Sequence, residues 1–463
     1  MDKIKVGYLP LYIQLYDDSD PHYRDPMVSY MAKLTNMIES HGIELVQADQ
    51  VCRTKPEFEA AVKKFNDAGV VAVITQHLAY SPSLESIDAL LSLEMPIIVF
   101  DTTMDCSFLD RADHYNGSTA NHGIHGVQDM CSMLKRYEKP YYLCVGHADN
   151  SDVVEEVVGM CRAAMACNAF RTVRVGSAGG SFHGMGDFLV SDERMEKDLG
   201  VQVKYMTPQL IQEYLAQVTE SQIDDEIKKD QEKYDVEVTF QAEYRGATKV
   251  GLAMRKWMED EKLTAFTMNF LAMDKIGVPK VPFPECCKVM ERGMGYAGEG
   301  DVLTASLMRA LLQVYPNTAF TEMFSPDWEK DVIYLSHMGE SNPNLAQWKP
   351  LLTDMPFQWN SCGNTVGMYT CFRPGKAVWV NLAPMKDHFK LILSQGELLD
   401  MDLRNSIYRK TTQGWYKPNK PVKQFLKEFS MIGGTHHSVL VYDVDIRELE
   451  AFGQMMGFEV TVI

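Results

Sequence analysis

The chain has 463 residues, 46% hydrophobic and 23% charged, the balance of a globular protein that divides into two or three domains. Its 63 acidic against 45 basic side chains leave a formal charge of −18, which repels phosphodiester backbones and anionic membranes and disfavours nucleic-acid binding. No uncharged apolar run reaches the ~18 residues of a transmembrane helix, and Met1-Asp2-Lys3-Ile4-Lys5 does not open a signal peptide, so a cytoplasmic enzyme is expected.

The first third alternates short apolar runs with amphipathic stretches. Ile4-Lys5-Val6-Gly7-Tyr8-Leu9, Val70-Val71-Ala72-Val73-Ile74, Pro96-Ile97-Ile98-Val99-Phe100-Asp101 and Tyr141-Tyr142-Leu143-Cys144-Val145 read as buried strands. Residues 27–40, 55–67, 84–93 and 153–167 have helical spacing. Such alternation predicts βαβ units and a parallel sheet covered on both faces. Ligands approach the carboxyl ends of these strands, where the 8–18 loop and Gln76-His77 are placed.

The pattern restarts at Thr172-Val173-Arg174-Val175-Gly176, followed by the glycine-rich stretch Gly179-Gly180-Ser181-Phe182-His183-Gly184-Met185-Gly186. That stretch lacks a GKS or GKT element and a dinucleotide fingerprint, so it is expected to be a flexible connection. Residues 220–237, dense in Glu, Asp and Lys, read as a solvated helix face. A helix over 248–261 and a strand at Ala265-Phe266-Thr267-Met268 follow. Asp301 is a candidate cap for a helix in which Leu303, Leu307 and Leu311 recur every fourth residue. Glu299 therefore lies in a glycine-flanked loop before a helix N-terminus, where a carboxylate is favoured.

Beyond 326 the runs 332–336, 365–372, 377–382 and 389–394 are short, β-rich and joined by Gly, Pro and Asn. They predict an antiparallel sheet or small barrel. A strand over 437–442, a helix over 445–456 and a strand over 458–463 finish the chain. The expected fold is α/β: two parallel-sheet domains, 1–170 and 171–325, then a C-terminal antiparallel β-rich, barrel-like domain, 326–463. Glu299 and Glu322 fall in the second of these and His337 and His437 in the third. The ten cysteines form no CxxC pair and read as reduced, buried small hydrophobes.

Glu299, Glu322, His337 and His437 form the constellation with the clearest chemistry. Two carboxylates and two imidazoles suit a divalent cation such as Mn²⁺, which accepts mixed oxygen and nitrogen ligands. Strand alternation puts His437, Val439 and Val441 on one face and His436, Ser438 and Leu440 on the other. Only one of the adjacent histidines is then expected to reach a given ion, and the pattern alone does not choose between them.

Four motifs occur in order: Gly295-Tyr296-Ala297-Gly298-Glu299-Gly300-Asp301, Thr321-Glu322-Met323-Phe324, Ser336-His337-Met338 and Gly433-Gly434-Thr435-His436-His437. Together they resemble the metal site of the L-arabinose isomerase and wider L-fucose/L-arabinose isomerase family, most clearly over 262–340 and 432–463. The resemblance implies a cytoplasmic homo-oligomer, a hexamer or trimer-based assembly with shared sites, that interconverts an aldose and its ketose through a cis-enediol. It implies Mn²⁺, or Mg²⁺ or Co²⁺, held by Glu299, Glu322, His337 and His437, with the two glutamates also exchanging protons. It selects His437 as the ligand and leaves His436 at the sugar. Gln14, Phe270 and His122, the last in Asn116-Gly117-Ser118-Thr119-Ala120-Asn121-His122-Gly123, are further sugar contacts that it implies. Family arabinose isomerases carry Gly-Ser-Gln-His-Leu-Tyr where this chain has Leu9-Pro10-Leu11-Tyr12-Ile13-Gln14-Leu15-Tyr16, so the chemistry carries over more fully than L-arabinose as substrate. Epimerisation of a modified sugar and non-catalytic sugar binding are the alternative readings.

Overall fold

The computed structural model describes residues 4–107, 117–401 and 404–463. They form two compact units, Met1–Met165 and Ala166–Ile463. The first carries strands β1 (Ile4–Leu11), β2 (Ile43–Gln47), β3 (Val73–His77), β4 (Ile97–Asp101) and β5 (Tyr141–Val145). All are parallel, in the order β2-β1-β3-β4-β5. Leu9, Leu11, Phe58, Phe65, Leu90, Ile97 and Leu134 fill one side of this sheet with its helices. The third strand begins three residues later than the apolar run at Val70, because Val70 and Val71 turn in from the helix Lys55–Ala68. The expected loop after the first strand is instead an extension of β1 to Leu11 and a short helix, Gln14–Ser19.

In the second unit come β6 (Arg174–Ala178), β7 (Gln202–Met206), β8 (Asp235–Glu237), β9 (Ala265–Met268) and β10 (Gly295–Gly298). They are followed by β11 (Thr318–Asp327), β12 (Val332–Ser336), β13 (Leu351–Met355), β14 (Thr365–Tyr369), β15 (Gly375–Pro384), β16 (Phe389–Leu398), β17 (Thr412–Pro418), β18 (His437–Tyr442) and β19 (Glu459–Val462). A parallel sheet runs β10-β9-β6-β7. A small sheet joins β8 to the hairpin β13–β14.

Antiparallel strands β15-β18-β11-β12-β17-β16 close on themselves through the β15–β16 pair, making a six-stranded barrel. Trp379, Leu335, Ile392, Tyr416, Leu440 and Phe425 pack in its core. The expected α/β architecture with a C-terminal β-rich barrel is therefore the observed one. Among the described residues no helix is long and apolar enough to cross a membrane.

Two expectations change. The acidic helix Glu220–Lys233 is solvated on one side only, since Glu226 and Asp230 are buried, one turn apart, against Lys288. The glycine-rich stretch after β6 is tied down: Asn269 Nδ2 donates to the Ser181 carbonyl, and Phe182 N–H donates to the Glu299 carbonyl.

Candidate active site

Three neighbouring strands of the second unit's parallel sheet end at one place. At the carboxyl end of β10 stands Glu299, at that of β9 the segment Asn269-Phe270, and at that of β6 the glycine-rich stretch. Carboxyl ends of parallel strands are where such sheets present ligand-binding loops. Glu299 adopts φ +61° and Gly300 φ +79°, a left-handed pair that turns the chain sharply into the helix Val302–Leu312. For a residue with a Cβ this backbone carries strain, a recurrent property of functional positions.

The barrel supplies the remaining groups from its outer face. Residues 319 and 440 point into the barrel core, so by alternation Phe320 and Glu322 on β11 and His437 on β18 point away from it. Glu322 and His437 are directly paired in register across the two strands. His337 follows β12, and its ring fills the space where a side chain on Gly298 would begin, 2.5 Å from its Cε1. The Phe320 ring stands edge-on to both His337 and His437, while Phe188 stacks on His437 at 5.1 Å and 8°.

Each imidazole is oriented by a carboxylate on Nδ1. Asp301 Oδ2 lies 3.0 Å from His437 Nδ1, while its Oδ1 accepts Thr304 N–H and caps the helix, as expected from the sequence. Glu340 holds His337 Nδ1 and also accepts from the Tyr296 hydroxyl. Asp187 Oδ2 is 2.7 Å from His436 Nδ1. The opposite nitrogens of His436 and His437 each lie 3.5 Å from the same Glu299 oxygen.

His436 precedes β18 rather than lying within it, so strict strand alternation does not apply, and both adjacent imidazoles reach one carboxylate. Asn381 fixes this bend: its Oδ1 accepts Thr435 N–H and its Nδ2 donates to the His437 carbonyl. Gly434 is required there because a Cβ would enter the Phe429 ring.

The electrostatics favour positive charge. Burial opposes ionisation of Glu299, but His436 and His437 outweigh it and hold the carboxyl well below its ordinary range. Burial likewise resists charge on His337, yet Glu340 and the nearby glutamates lift it to about 9. For His436, Asp187 and Glu299 overcome burial and raise it to about 10.

These residues fit a divalent cation. One donor atom each from Glu322, His337 and His437 lies within 4.8 Å of the others, as does the set Glu299, His436 and His437. Among the described residues His437 Nε2 is buried without a hydrogen-bond partner, an orphaned donor or acceptor that ligation would satisfy. Carboxylates bound to the far nitrogens of histidines are the usual support of metal ligands.

Of the proposed sugar contacts, His436 reaches Glu299, and Phe270 connects to that loop through Phe182, 5.6 Å away. Phe270 also packs against Trp359, a half-exposed ring. Gln14 and His122 belong to the first unit. Gln14 donates to Asp18 at 2.7 Å; His122 contacts the Tyr16 hydroxyl at 3.4 Å and His125 at 2.9 Å. Asn116 lies outside the described residues. Sequence reasoning missed Asp187, Glu340 and Asn381, and found Asp301 only as a cap.

Models of three domains of L-arabinose isomerase match the chain in order: N-terminal over residues 27–172, central over 191–316 and C-terminal over 317–459. L-arabinose isomerase of Aeromonas hydrophila is 24% identical over 89% of this chain and 84% of the relative. That of Clostridium beijerinckii is 25% identical over 86% and 82%, and that of Oceanobacillus iheyensis 25% over 90% and 88%. A solved periplasmic solute-binding protein from Actinobacillus succinogenes, with bound D-allose, covers 67% of this chain and 92% of its own at 12% identity. Its TM-score of 0.19 is too low to bear on fold or ligand.

Proposed function

The chain belongs to the L-arabinose isomerase family, and from that premise we propose that it interconverts a free aldose and its 2-ketose through a cis-enediol. The substrate in this reading is an L-arabinose-like pentose or a related deoxy or modified aldose. The observation that carries it is the convergence of Glu299 and Glu322 on His437, one from the parallel sheet and one from the barrel.

Glu299, Glu322, His337 and His437 would hold a divalent cation, Mn²⁺ in the first instance. When bound, the cation supplies Lewis-acid stabilisation of the charge that develops on the sugar's O1 as C2 loses its proton. One glutamate takes the C2 proton, and the C2–H electron pair becomes the C1–C2 double bond. O1 gains a proton, giving the enediol. Loss of the O2 proton and return of a proton to C1 complete the ketose, with the second glutamate as acid. His337 and His437, each pinned at Nδ1, keep their orientation throughout. Phe320 and Phe188 exclude water from the imidazoles.

Gln14, His122, Phe270 and His436 complete the proposed sugar contacts. His122 reaches the site of a neighbouring subunit in a cytoplasmic homo-oligomer, hexameric or built from trimers. Light scattering that finds a fully active monomer would remove that contribution.

The deciding experiment incubates a panel of aldoses in D₂O with metal-stripped protein, with and without Mn²⁺, followed by NMR. Metal-dependent ketose carrying deuterium is the expected result. C2 exchange without ketose would favour epimerisation, and no reaction across the panel would favour sugar binding alone. In Glu299→Gln, turnover is expected to fall by orders of magnitude.

A further inference from the structure

Asp187 lies 249 residues before His436 in the chain, yet one of its oxygens meets that residue twice. Oδ2 accepts the His436 backbone N–H at 2.9 Å and lies 2.7 Å from its Nδ1. Main chain and ring are thereby fixed by a single atom. The ring has one direction left, and its Nε2 faces Glu299 Oε2.

The pair is the exposed counterpart of two buried ones. Asp301 with His437 and Glu340 with His337 have fully or almost fully buried side chains, whereas those of Asp187 and His436 are 37% and 36% exposed. An imidazole at a solvent-facing edge has rotamer freedom that the buried rings lack. Phe188 and His437 flank the His436 ring at 5.6 and 4.2 Å, and the tether fixes its aim between them. The segment bearing Asp187 is itself anchored, because Phe188, the next residue, stacks on His437.

We infer that Asp187 is a positioning residue that acts through His436, keeping the proton on Nδ1 and presenting Nε2 to Glu299 and to whatever Glu299 engages. The kinetic part of its test rests on the isomerase reading above; the spectroscopic part does not. Asp187 is assigned a positioning rather than a catalytic role because its oxygen is engaged by the backbone and ring of His436.

The test combines two readouts on the full-length protein. With ¹⁵N-histidine labelling, the Nδ1–H resonance of His436, assigned by its absence in His436→Gln, should be shifted downfield and protected from exchange. It should lose that protection in Asp187→Ala and recover it in Asp187→Glu. On the aldose turned over by the wild type, Asp187→Ala should lower kcat/KM by about 10–100-fold, the range for carboxylates that support metal-ligating histidines, which His436 adjoins. In a His436→Gln background the same substitution should add almost nothing.

An unchanged Nδ1–H signal in Asp187→Ala, or losses that add independently of His436, would overturn the inference. Absence of turnover in the wild type would count against the isomerase reading and leave the spectroscopic result to decide the role of Asp187. Asp187→Asn, whose amide oxygen can still accept from both the backbone N–H and Nδ1–H, separates the charge of the carboxylate from its tethering: recovery of the protected Nδ1–H signal there is the expected result.

Discussion

Asp301 serves two masters with its two oxygens: Oδ1 caps the helix Val302–Leu312 through Thr304 N–H, and Oδ2 holds His437 Nδ1. The helix start and the imidazole are thus set by the same side chain. Asp301→Asn should separate the roles, because asparagine also caps well. Its amide can offer an N–H where His437 needs an acceptor. Thermal stability should stay close to wild type while divalent-metal affinity falls about 10–100-fold, as followed by Co²⁺ titration. Asp301→Ala should lose the cap as well, at a cost of about 0.5–2 kcal/mol.

Gly298→Ala places a methyl 2.5 Å from His337 Cε1, in a fully packed region. The ring must move or the strand must give. Overpacking of this kind costs about 1–3 kcal/mol. The expected result is a lower denaturation midpoint together with weaker metal binding, even though no ligand is changed. Unaltered Co²⁺ affinity would mean that His337 does not contribute to the cation site.

Away from the site, Lys288 is buried between Glu226 Oε1 at 2.8 Å and Asp230 Oδ1 at 2.5 Å. Arg255 lies 2.7 Å from both Glu226 and Glu285. Lys288→Met removes the charge paired with Asp230 and leaves that buried carboxylate without it. A loss of about 3–5 kcal/mol is expected in urea denaturation. Lys288→Met with Asp230→Leu should recover much of it.

The same cluster gives a pH dependence. Burial raises the Glu226 carboxyl, but the Arg255 hydrogen bonds and the Lys288 charge outweigh it and bring it from 4.5 to about 2. A depressed folded value means stabilisation that is complete above the unfolded value and lost as pH falls towards the folded one. Glu226 should therefore contribute a decline in stability between about pH 4.5 and 2. Asp230, raised because burial exceeds the help from Lys288, works in the opposite sense. Glu226→Gln should flatten the acid limb of the stability curve while lowering stability near neutrality.

Much of the fold was legible because strands such as Ile97–Asp101 are continuous apolar runs and helices such as Val302–Leu312 open on a clear side-chain cap. The strand bearing Glu322 was not. Thr318–Asp327 alternates between a buried start and an exposed end and carries a bulge after Met323, so it gives no steady period. The first unit's kinship was also hidden: the N-terminal domain model matches from residue 27, where motif comparison found little.

At the site, the glycines around Glu299 advertised an unusual backbone, whereas the tethers did not show themselves. Glu340 stood three residues after His337 and could have been noticed as a His-x-x-Glu spacing. Asp187 and Asp301 meet their histidines across 249 and 136 residues, and nothing local marks either as a partner.

The barrel's closure carries a seam along β16. Strand β16 gives its whole length to β15 on one side, but on the other it is shared: Gly396–Leu398 face β17, and Lys390–Leu393 face β19. Strand β19 is thus a cover of four residues over the backbone of Lys390–Leu393. Deleting residues 459–463 would expose the unpaired backbone of Lys390–Leu393, flanked by apolar side chains, to any strand that approached. The candidate site residues would be untouched, and the damage would surface as edge-to-edge association and a shortened life in solution.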